Sequence, residues 1–515
     1  MLLKQKKKIE IVLIITFAII TFIGILNHSM WSDELNGWLI ARDSSSFFDF
    51  FESVKYEGHP LLWYFLLWFL NKFTANPIIM QVVHWLISVA TLSIFIIYAP
   101  FNTLQKVLFS FGYFPLYEYS LISRNYAFGI LSIFLFCTCF QIRSRHRNYV
   151  TLAFILAFMA NTNAYCLLIS IALGITLFFE YCFKKYLGYT IEAKKAHIII
   201  SILILIIGVS ISVFTLLPPI DSTLQGGANQ WFLNFDINRL LQTVNRIWRS
   251  YIMVIIPSDS KILDLIFFSF LSIILFSCIL LSFIQKPVAL CFYLVGSLEI
   301  IIFTYIKFLG SQRHYGHLYI ILISSLWIEN SCDDVRLHKK YLENIFVRFL
   351  NSFSKITEFL VSYRKYVIGI ILWLQVIAGI VAFSRDLSIP YSSSRMTANF
   401  IQQNNLDDYL IFGSEDFTIA PISGYLNKKI YYPETKKMGS YVLFNNSRQP
   451  TNDLEIISQI EKRILNQNEN SLLILNHELL EYSDNLDIVL LKKFMKSFIY
   501  NEKYYIYLVK PHKND

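Results

Sequence analysis

The 515-residue chain is 55% hydrophobic and 17% aromatic but only 16% charged, with a mean hydropathy of +0.48. A soluble globular chain carries about 25% charged residues, and the apolar residues here gather in long blocks, which excludes a disordered, collagen-like or ordinary cytosolic protein. The net charge of +9, from 45 basic and 36 acidic side chains, sits in short clusters between those blocks: Lys4, Lys6, Lys7 and Lys8; Arg143, Arg145 and Arg147; Lys184, Lys185, Lys194 and Lys195. Such spacing is the positive-inside pattern of a polytopic membrane protein, not a nucleic-acid-binding face.

In chain order, residues 9–27 read as a retained first span with a cytoplasmic N-terminus, because no small-residue cleavage site follows them. Residues 28–75 form a first outer loop. Within it, the apolar run 60–73 has 14 residues, short of the roughly 20 needed to span. Reading that run as an interfacial helix puts every basic cluster on one side of the membrane, and the amphipathic stretch at 47–53 fits a second surface-lying helix. Eleven spans follow from this parity: 9–27, 77–98, 107–122, 124–140, 149–161, 163–181, 197–217, 262–283, 287–307, 315–329 and 366–384. The chain then divides into a transmembrane domain, 1–384, and an extracytoplasmic domain, 385–515. The latter carries 15 basic and 16 acidic side chains and no long apolar run. Helix-like segments at 395–404 and 453–466 alternate there with strand-like ones at 409–414, 471–476 and 504–509, predicting a small soluble α/β domain. All seven cysteines lie in or beside apolar blocks, so the tail has no disulfide framework. Cys137 and Cys139 would point to different sides of a helix and read as small apolar fillers.

Chemistry concentrates on the outer side. Asp33 and Glu34 follow the first span directly, in HSMWSDELNGWLIARDS, with Trp31 and Trp38 as interfacial anchors. Tyr56-Glu57-Gly58-His59-Pro60 enters the interfacial helix. Arg124-Asn125-Tyr126 and Gln312-Arg313-His314-Tyr315-Gly316-His317 mark two further outer boundaries, where positive charge runs against the topological trend. Guanidinium forks match phosphate oxygens. Two acids facing several cations at membrane depth suit an enzyme whose donor is an anionic polyprenyl-phosphate lipid. A carboxylate deprotonates the incoming hydroxyl, and the phosphate leaves without a general acid.

At these residues the sequence resembles the GT-C superfamily of membrane glycosyltransferases, in a pattern near the protein O-mannosyltransferases and the bacterial lipid A aminoarabinose transferase. The acidic pair corresponds to Asp33-Glu34, the entry to the interfacial helix to Tyr56–Pro60, and the second outer turn to Arg124-Asn125-Tyr126. The string Arg313–His317 looks like the signature of an uncharacterised bacterial branch. The resemblance implies a GT-C-like polytopic helical fold with a C-terminal extracytoplasmic domain in a bacterial cytoplasmic membrane. It also implies Asp33 as general base, with Glu34 helping to place the acceptor. His59, Arg124 and Arg313 would be cations for the lipid phosphate, and Tyr56, Glu57, Tyr126, His314 and His317 would be further substrate contacts. Some relatives hold a second aspartate in the turn where this chain has Arg124. Glu118 lies nearby, and the reaction is expected to need neither metal nor cofactor. The acceptor, whether glycan, lipid or protein, is not specified. Two competing readings are a transporter or flippase of envelope lipids, and a scaffold working through residues 385–515. The mid-span regions, nearly charge-free apart from Glu299, count against the first. The outer acids and basic turns count against the second.

Overall fold

A computed structural model describes residues 2–141, 148–185, 187, 193–224, 230–332, 346–467 and 469–512. Arg143, Arg145 and Arg147 lie outside the described residues. The chain opens with α1 (Leu2–Asn27), then three short helices: α2 (Ser32–Asp43), α3 (Phe47–Val54) and α4 (Leu62–Leu70). Ser46 caps α3 by accepting the Asp49 amide at 3.1 Å. At nine residues α4 is far too short to cross a bilayer.

The bundle continues through α5 (Ile78–Tyr98), α6 (Thr103–Ser110), α7 (Tyr126–Gln141), α8 (Tyr149–Ala160), α9 (Ala164–Phe183), α10 (Lys195–Leu216), α11 (Ile237–Tyr251), α12 (Ile262–Ser282), α13 (Pro287–Ile306), α14 (Gln312–Glu329) and α15 (Phe346–Ser388). Among the described residues, seven helices are long and apolar enough to cross a membrane: Lys4–Asn27, Ile78–Tyr98, Ala164–Phe183, Lys195–Leu216, Ile262–Ser282, Pro287–Ile306 and Phe359–Ser388. This is a polytopic membrane architecture, but the count of eleven spans does not follow from it. Helices α7 and α8, with 16 and 12 residues, are short. Helix α14 is enclosed by its neighbours, every residue from His314 to Ile328 being buried.

The expected span 107–122 is not a continuous helix. After α6 the backbone turns through Phe111 and Gly112 into one wide turn at Phe114–Glu118, which has Pro115 near its start. Proline removes a backbone donor, and α15 crosses here at backbone contact: a Cβ on Gly379 would lie 2.7 Å from the Phe111 carbonyl. The following stretch, Ser120–Asn125, is irregular and wholly buried. Non-helical backbone is tolerated at such a level only inside protein. A second departure is α11, a strongly amphipathic helix in what reads from the sequence as a loop. It buries Asn245, Arg246 and Arg249, and its Tyr251 hydroxyl meets that of Tyr293 on α13 at 3.0 Å.

Beyond α15 come α16 (Ser394–Gln403), α17 (Asp416–Leu426) and α18 (Asp453–Gln467), with β1 (Leu410–Gly413), β2 (Ile430–Tyr432), β3 (Lys437–Gly439), β4 (Ser471–Leu475), β5 (Leu486–Phe494) and β6 (Tyr504–Pro511). The sheet order is β3-β2-β1-β4-β6-β5, with β1 parallel to β2 and β4 and the remaining pairs antiparallel. Alternation along β1 and β4 sends Ile411 and Leu472 to the α16/α17 face and Phe412 and Leu473 to the α18 face. The C-terminal unit is therefore a three-layer α/β/α arrangement.

This unit holds α2 from several sides. The Met30 amide donates to the Tyr425 hydroxyl at 2.8 Å. Asn36 exchanges two hydrogen bonds with the Val442 backbone, at 2.8 and 3.0 Å. Arg42 donates to Asn427 at 2.9 Å, and Ser440 donates to Asp43.

Candidate active site

One cavity of about 470 Å³ lies where α2, the Arg124 turn and the start of α14 meet, and Asp33, Asn36, Glu57, His59, Arg124, Arg313 and His314 all line it. Asp33 stands in the first turn of α2, and its carboxylate accepts from Arg313 Nη2 at 2.5 Å, 280 positions away in sequence. Both side chains stay about a fifth exposed (20% and 16%), so the pair faces the cavity. Arg124 donates one Nη to the Asp33 carbonyl and the other to His59 Nε2, the latter at 3.0 Å. The aspartate is thus fixed through its main chain by one arginine and through its carboxylate by another.

Gly58 sits at φ +68°, a left-handed conformation that glycine adopts freely. It turns the chain so that Glu57 and His59 both reach the cavity. Glu57 accepts from Asn36 Nδ2 at 2.6 Å and from the Tyr64 hydroxyl at 3.2 Å. Burial pushes its carboxyl up, against the pull of Arg124. The His59 ring is driven well below the ordinary histidine range by burial and then by Arg124 and Arg313. It is a neutral acceptor, which corrects its expected role as a cation. His314 is neutral for a simpler reason, since its Nδ1 accepts the Ser311 amide at 2.9 Å.

Four other expected residues do not line the cavity. Tyr56 stands at its edge, its hydroxyl donating to Asp221 at 2.8 Å. Tyr126 and His317 lie behind the wall as buried rings packed on each other and on Tyr119, with centroids 5.7 to 6.2 Å apart. Glu34 faces away. Consecutive residues on a helix point about 100° apart, so Asp33 and Glu34 cannot both meet the cavity. Glu34 is 1% exposed; it accepts the Ser123 amide at 2.6 Å and lies 3.0 Å from His28 Nε2, whose Nδ1 is 2.8 Å from Asp386 on α15. It ties α2 to the Arg124 turn and to α15 and has no route to an acceptor. Glu118, near the same turn, accepts from the Tyr113 hydroxyl at 2.7 Å instead of reaching the cavity.

Burial alone would lower the His28 pKa, but the Asp386 and Glu34 carboxylates overrule it and raise the value to about 10. A group whose pKa is raised on folding contributes fully below its unfolded value, near 6.5, and that contribution is lost as pH rises through the folded value. Melting temperature in detergent should therefore fall between pH 6.5 and about 10. His28→Ala, which leaves two buried carboxylates without their counter-ion, should cost about 3–5 kcal/mol at neutral pH and flatten that alkaline decline.

The remaining walls carry residues that the sequence reading missed. Asn36 shares the Asp33 face of α2 three positions on, a spacing that could have revealed it. Lys307 closes α13 with its ammonium 4.4 Å above the Trp231 ring. As a cation at the end of an apolar run, six residues before Arg313, it also carried a signal. Phe417 and Phe444 come from the C-terminal unit, with ring centroids 5.0 Å apart, and no local pattern announces them. Opposite them Val213, Leu216 and Leu217 at the end of α10 and Phe303 on α13 give the cavity an apolar side.

No protein-family model matches the sequence, and no curated protein matches it. The fold is similar to the crystal structure of ArnT from Cupriavidus metallidurans bound to undecaprenyl phosphate, with a TM-score of 0.51 over 97% of both chains. The chain shares the overall fold of that structure. At 10% identity the likeness lies in the arrangement of helices and the C-terminal sheet, and the chemistry must be argued from the cavity itself.

Proposed function

We propose that the protein is a glycosyltransferase that moves a sugar from a polyprenyl-phosphate donor to a hydroxyl acceptor on the extracytoplasmic face of a bacterial cytoplasmic membrane. The observation that carries this reading is one cavity in which a carboxylate, Asp33, meets two guanidinium groups, Arg124 and Arg313, beside an apolar wall from α10 and α13. A donor with an isoprenoid tail and an anionic headgroup fits both halves. The solved structure of similar fold holds undecaprenyl phosphate, a lipid of that class.

In the reaction, Arg313 and Arg124 take the phosphate oxygens, with Lys307 as a third cation nearer the apolar side. Donor binding competes for Arg313 and so releases the Asp33 carboxylate. Asp33 then accepts the proton of the acceptor hydroxyl. The acceptor oxygen forms a bond to the anomeric carbon as the carbon–oxygen bond to phosphate breaks. The electron pair leaves on the phosphate, and the guanidinium groups neutralise it. One base and one displacement invert the anomeric configuration. Glu57, held by Asn36 and Tyr64, is a polar contact for the sugar. The C-terminal unit closes one side of the cavity through Phe417 and Phe444.

The test is transfer in proteoliposomes from a panel of polyprenyl-phosphate sugars, following free polyprenyl phosphate and product anomer together. Stoichiometric release with inversion is expected. Movement of the intact lipid-linked sugar between leaflets without release would favour the flippase reading, and retention of configuration would exclude the single displacement.

A further inference from the structure

Besides the two arginines, a third anchor holds the Asp33 turn, and it comes from the far end of the chain. Glu502 lies in the turn that enters β6. That turn is pinned to the segment after α15 by backbone hydrogen bonds from Phe498 to Pro390 (2.9 Å), from Ile499 to Tyr391 (3.0 Å) and from Ser393 to the Glu502 carbonyl (3.2 Å). The Glu502 side chain is fully buried. Its Oε1 accepts the Ser32 backbone N–H at 2.9 Å, 470 positions away in sequence. Ser32 is the first residue of α2 and the one directly before Asp33.

The first-turn amides of a helix lack intrahelical partners and carry its positive dipole end, so an acidic side chain is well matched there. Water or a neutral side chain could satisfy the same amide, whereas a buried carboxyl is costly to keep. Burial pushes Glu502 up to about 7, the neighbouring Ser392 and Ser32 pull the other way, and the charge of Asp33 adds to the rise. The two carboxyl groups are therefore close enough to sense each other, yet only Asp33 lines the cavity.

We propose that Glu502 is a positioning residue for glycosyl transfer, fixing the first turn of α2 so that Asp33 presents its carboxylate to the acceptor hydroxyl. The inference rests on the reading of Asp33 as the base. The C-terminal unit then acts as part of the catalytic scaffold: in the resting site Ser32 N–H is held by Glu502, the Asp33 carbonyl by Arg124 and the Asp33 carboxylate by Arg313. Once the donor has taken Arg313, only the main-chain anchors hold the turn; losing one of them lets the carboxylate drift, and a shift of about 1 Å can cost on the order of 10²-fold in rate.

The experiment compares full-length variants in proteoliposomes with a polyprenyl-phosphate sugar as donor, separating kcat from KM. Glu502→Ala is expected to lower kcat about 10- to 100-fold with donor KM changed less than about threefold. Glu502→Gln should stay near wild type, because its amide oxygen still accepts from Ser32. Ser32→Pro provides an independent arm that leaves Glu502 in place. Proline is well tolerated at the first helical position, and Trp31 before it is already extended (φ −111°, ψ −177°). The substitution removes the N–H and the hydroxyl and puts a ring carbon where the amide hydrogen meets Glu502, so the anchor is lost; it should lose at least as much kcat as Glu502→Ala, while Ser32→Ala, which keeps the N–H, should lose less. If Glu502→Ala fails to fold, Ser32→Pro set against Ser32→Ala still decides. Wild-type kcat in Ser32→Pro, or an equal loss in Glu502→Gln and Glu502→Ala, overturns the inference. If Asp33→Asn in the same series turns over normally, the base assignment fails instead, and the two failures are told apart.

Discussion

Asp33→Asn is expected to lower kcat for transfer by about 10²- to 10⁴-fold, the range for loss of a general base, while binding of the donor becomes tighter. Asparagine has the same shape and can still accept from Arg313, so the first turn of α2 should hold. It cannot take a proton from the acceptor. The second half of the prediction comes from the 2.5 Å contact between Asp33 and Arg313. In the resting site the carboxylate occupies the guanidinium that the donor phosphate needs, and neutralising it removes that competitor. A purely structural aspartate would give the opposite sign, with weaker donor binding alongside lost activity. Release of polyprenyl phosphate in proteoliposomes measures the first quantity, and equilibrium binding of the sugar-free lipid phosphate measures the second. Unchanged turnover would remove Asp33 from the base role, and weakened lipid binding would remove the competition.

Much of this site is legible in the sequence because membrane topology makes misplaced charge conspicuous. Arg124 and Arg313 stood out against the positive-inside pattern, and Asp33 stood out as an acid just past a span. The structure puts all three on one cavity. The failures have equally physical causes. Asp33 and Glu34 read as a functional pair, yet on a helix adjacent side chains diverge, and Glu34 went to the buried cluster with His28 and Asp386. His59 read as a cation because histidine can be one. Two arginines and burial hold it neutral, and that depends on neighbours 65 and 254 positions away. The span 107–122 carried its own warning in Gly112 and Pro115, but hydropathy averages over such breakers. In the C-terminal unit β1, β4 and β6 were visible as short strand-like segments alternating with helix-like ones. The edge strand β5 was not, because it is largely exposed and carries Lys492 and Lys493. Phe417, Phe444 and Glu502 reach α2 only through tertiary packing, which leaves no periodic trace.

Arg313→Gln should be nearly as damaging as Asp33→Asn, and for a reason that a charge count alone would miss. Arg313 gives Nη2 to Asp33, while its Nε has no partner among the described residues. Its guanidinium lies 5.2 Å over the Trp31 ring, and its carbonyl accepts from the Tyr119 hydroxyl at 2.9 Å. A planar fork held by Asp33 and by the Trp31 ring, with Nε unpartnered among the described residues, suits the proposed oxyanion that gains charge as the glycosidic bond breaks. Removing one such preorganised donor costs about 10²- to 10³-fold in kcat. Arg313→Lys should recover little of it, because an ammonium lacks the planar fork of parallel donors that matches a phosphate. The decisive measurement is the double variant. In the proposed reaction Asp33 and Arg313 act on the same step, and they touch each other, so Asp33→Asn with Arg313→Gln should lose less than the product of the two single losses. Independent, multiplying effects would mean that the resting ion pair and the transfer chemistry are separate, and that donor binding does not exchange one anion for another at Arg313.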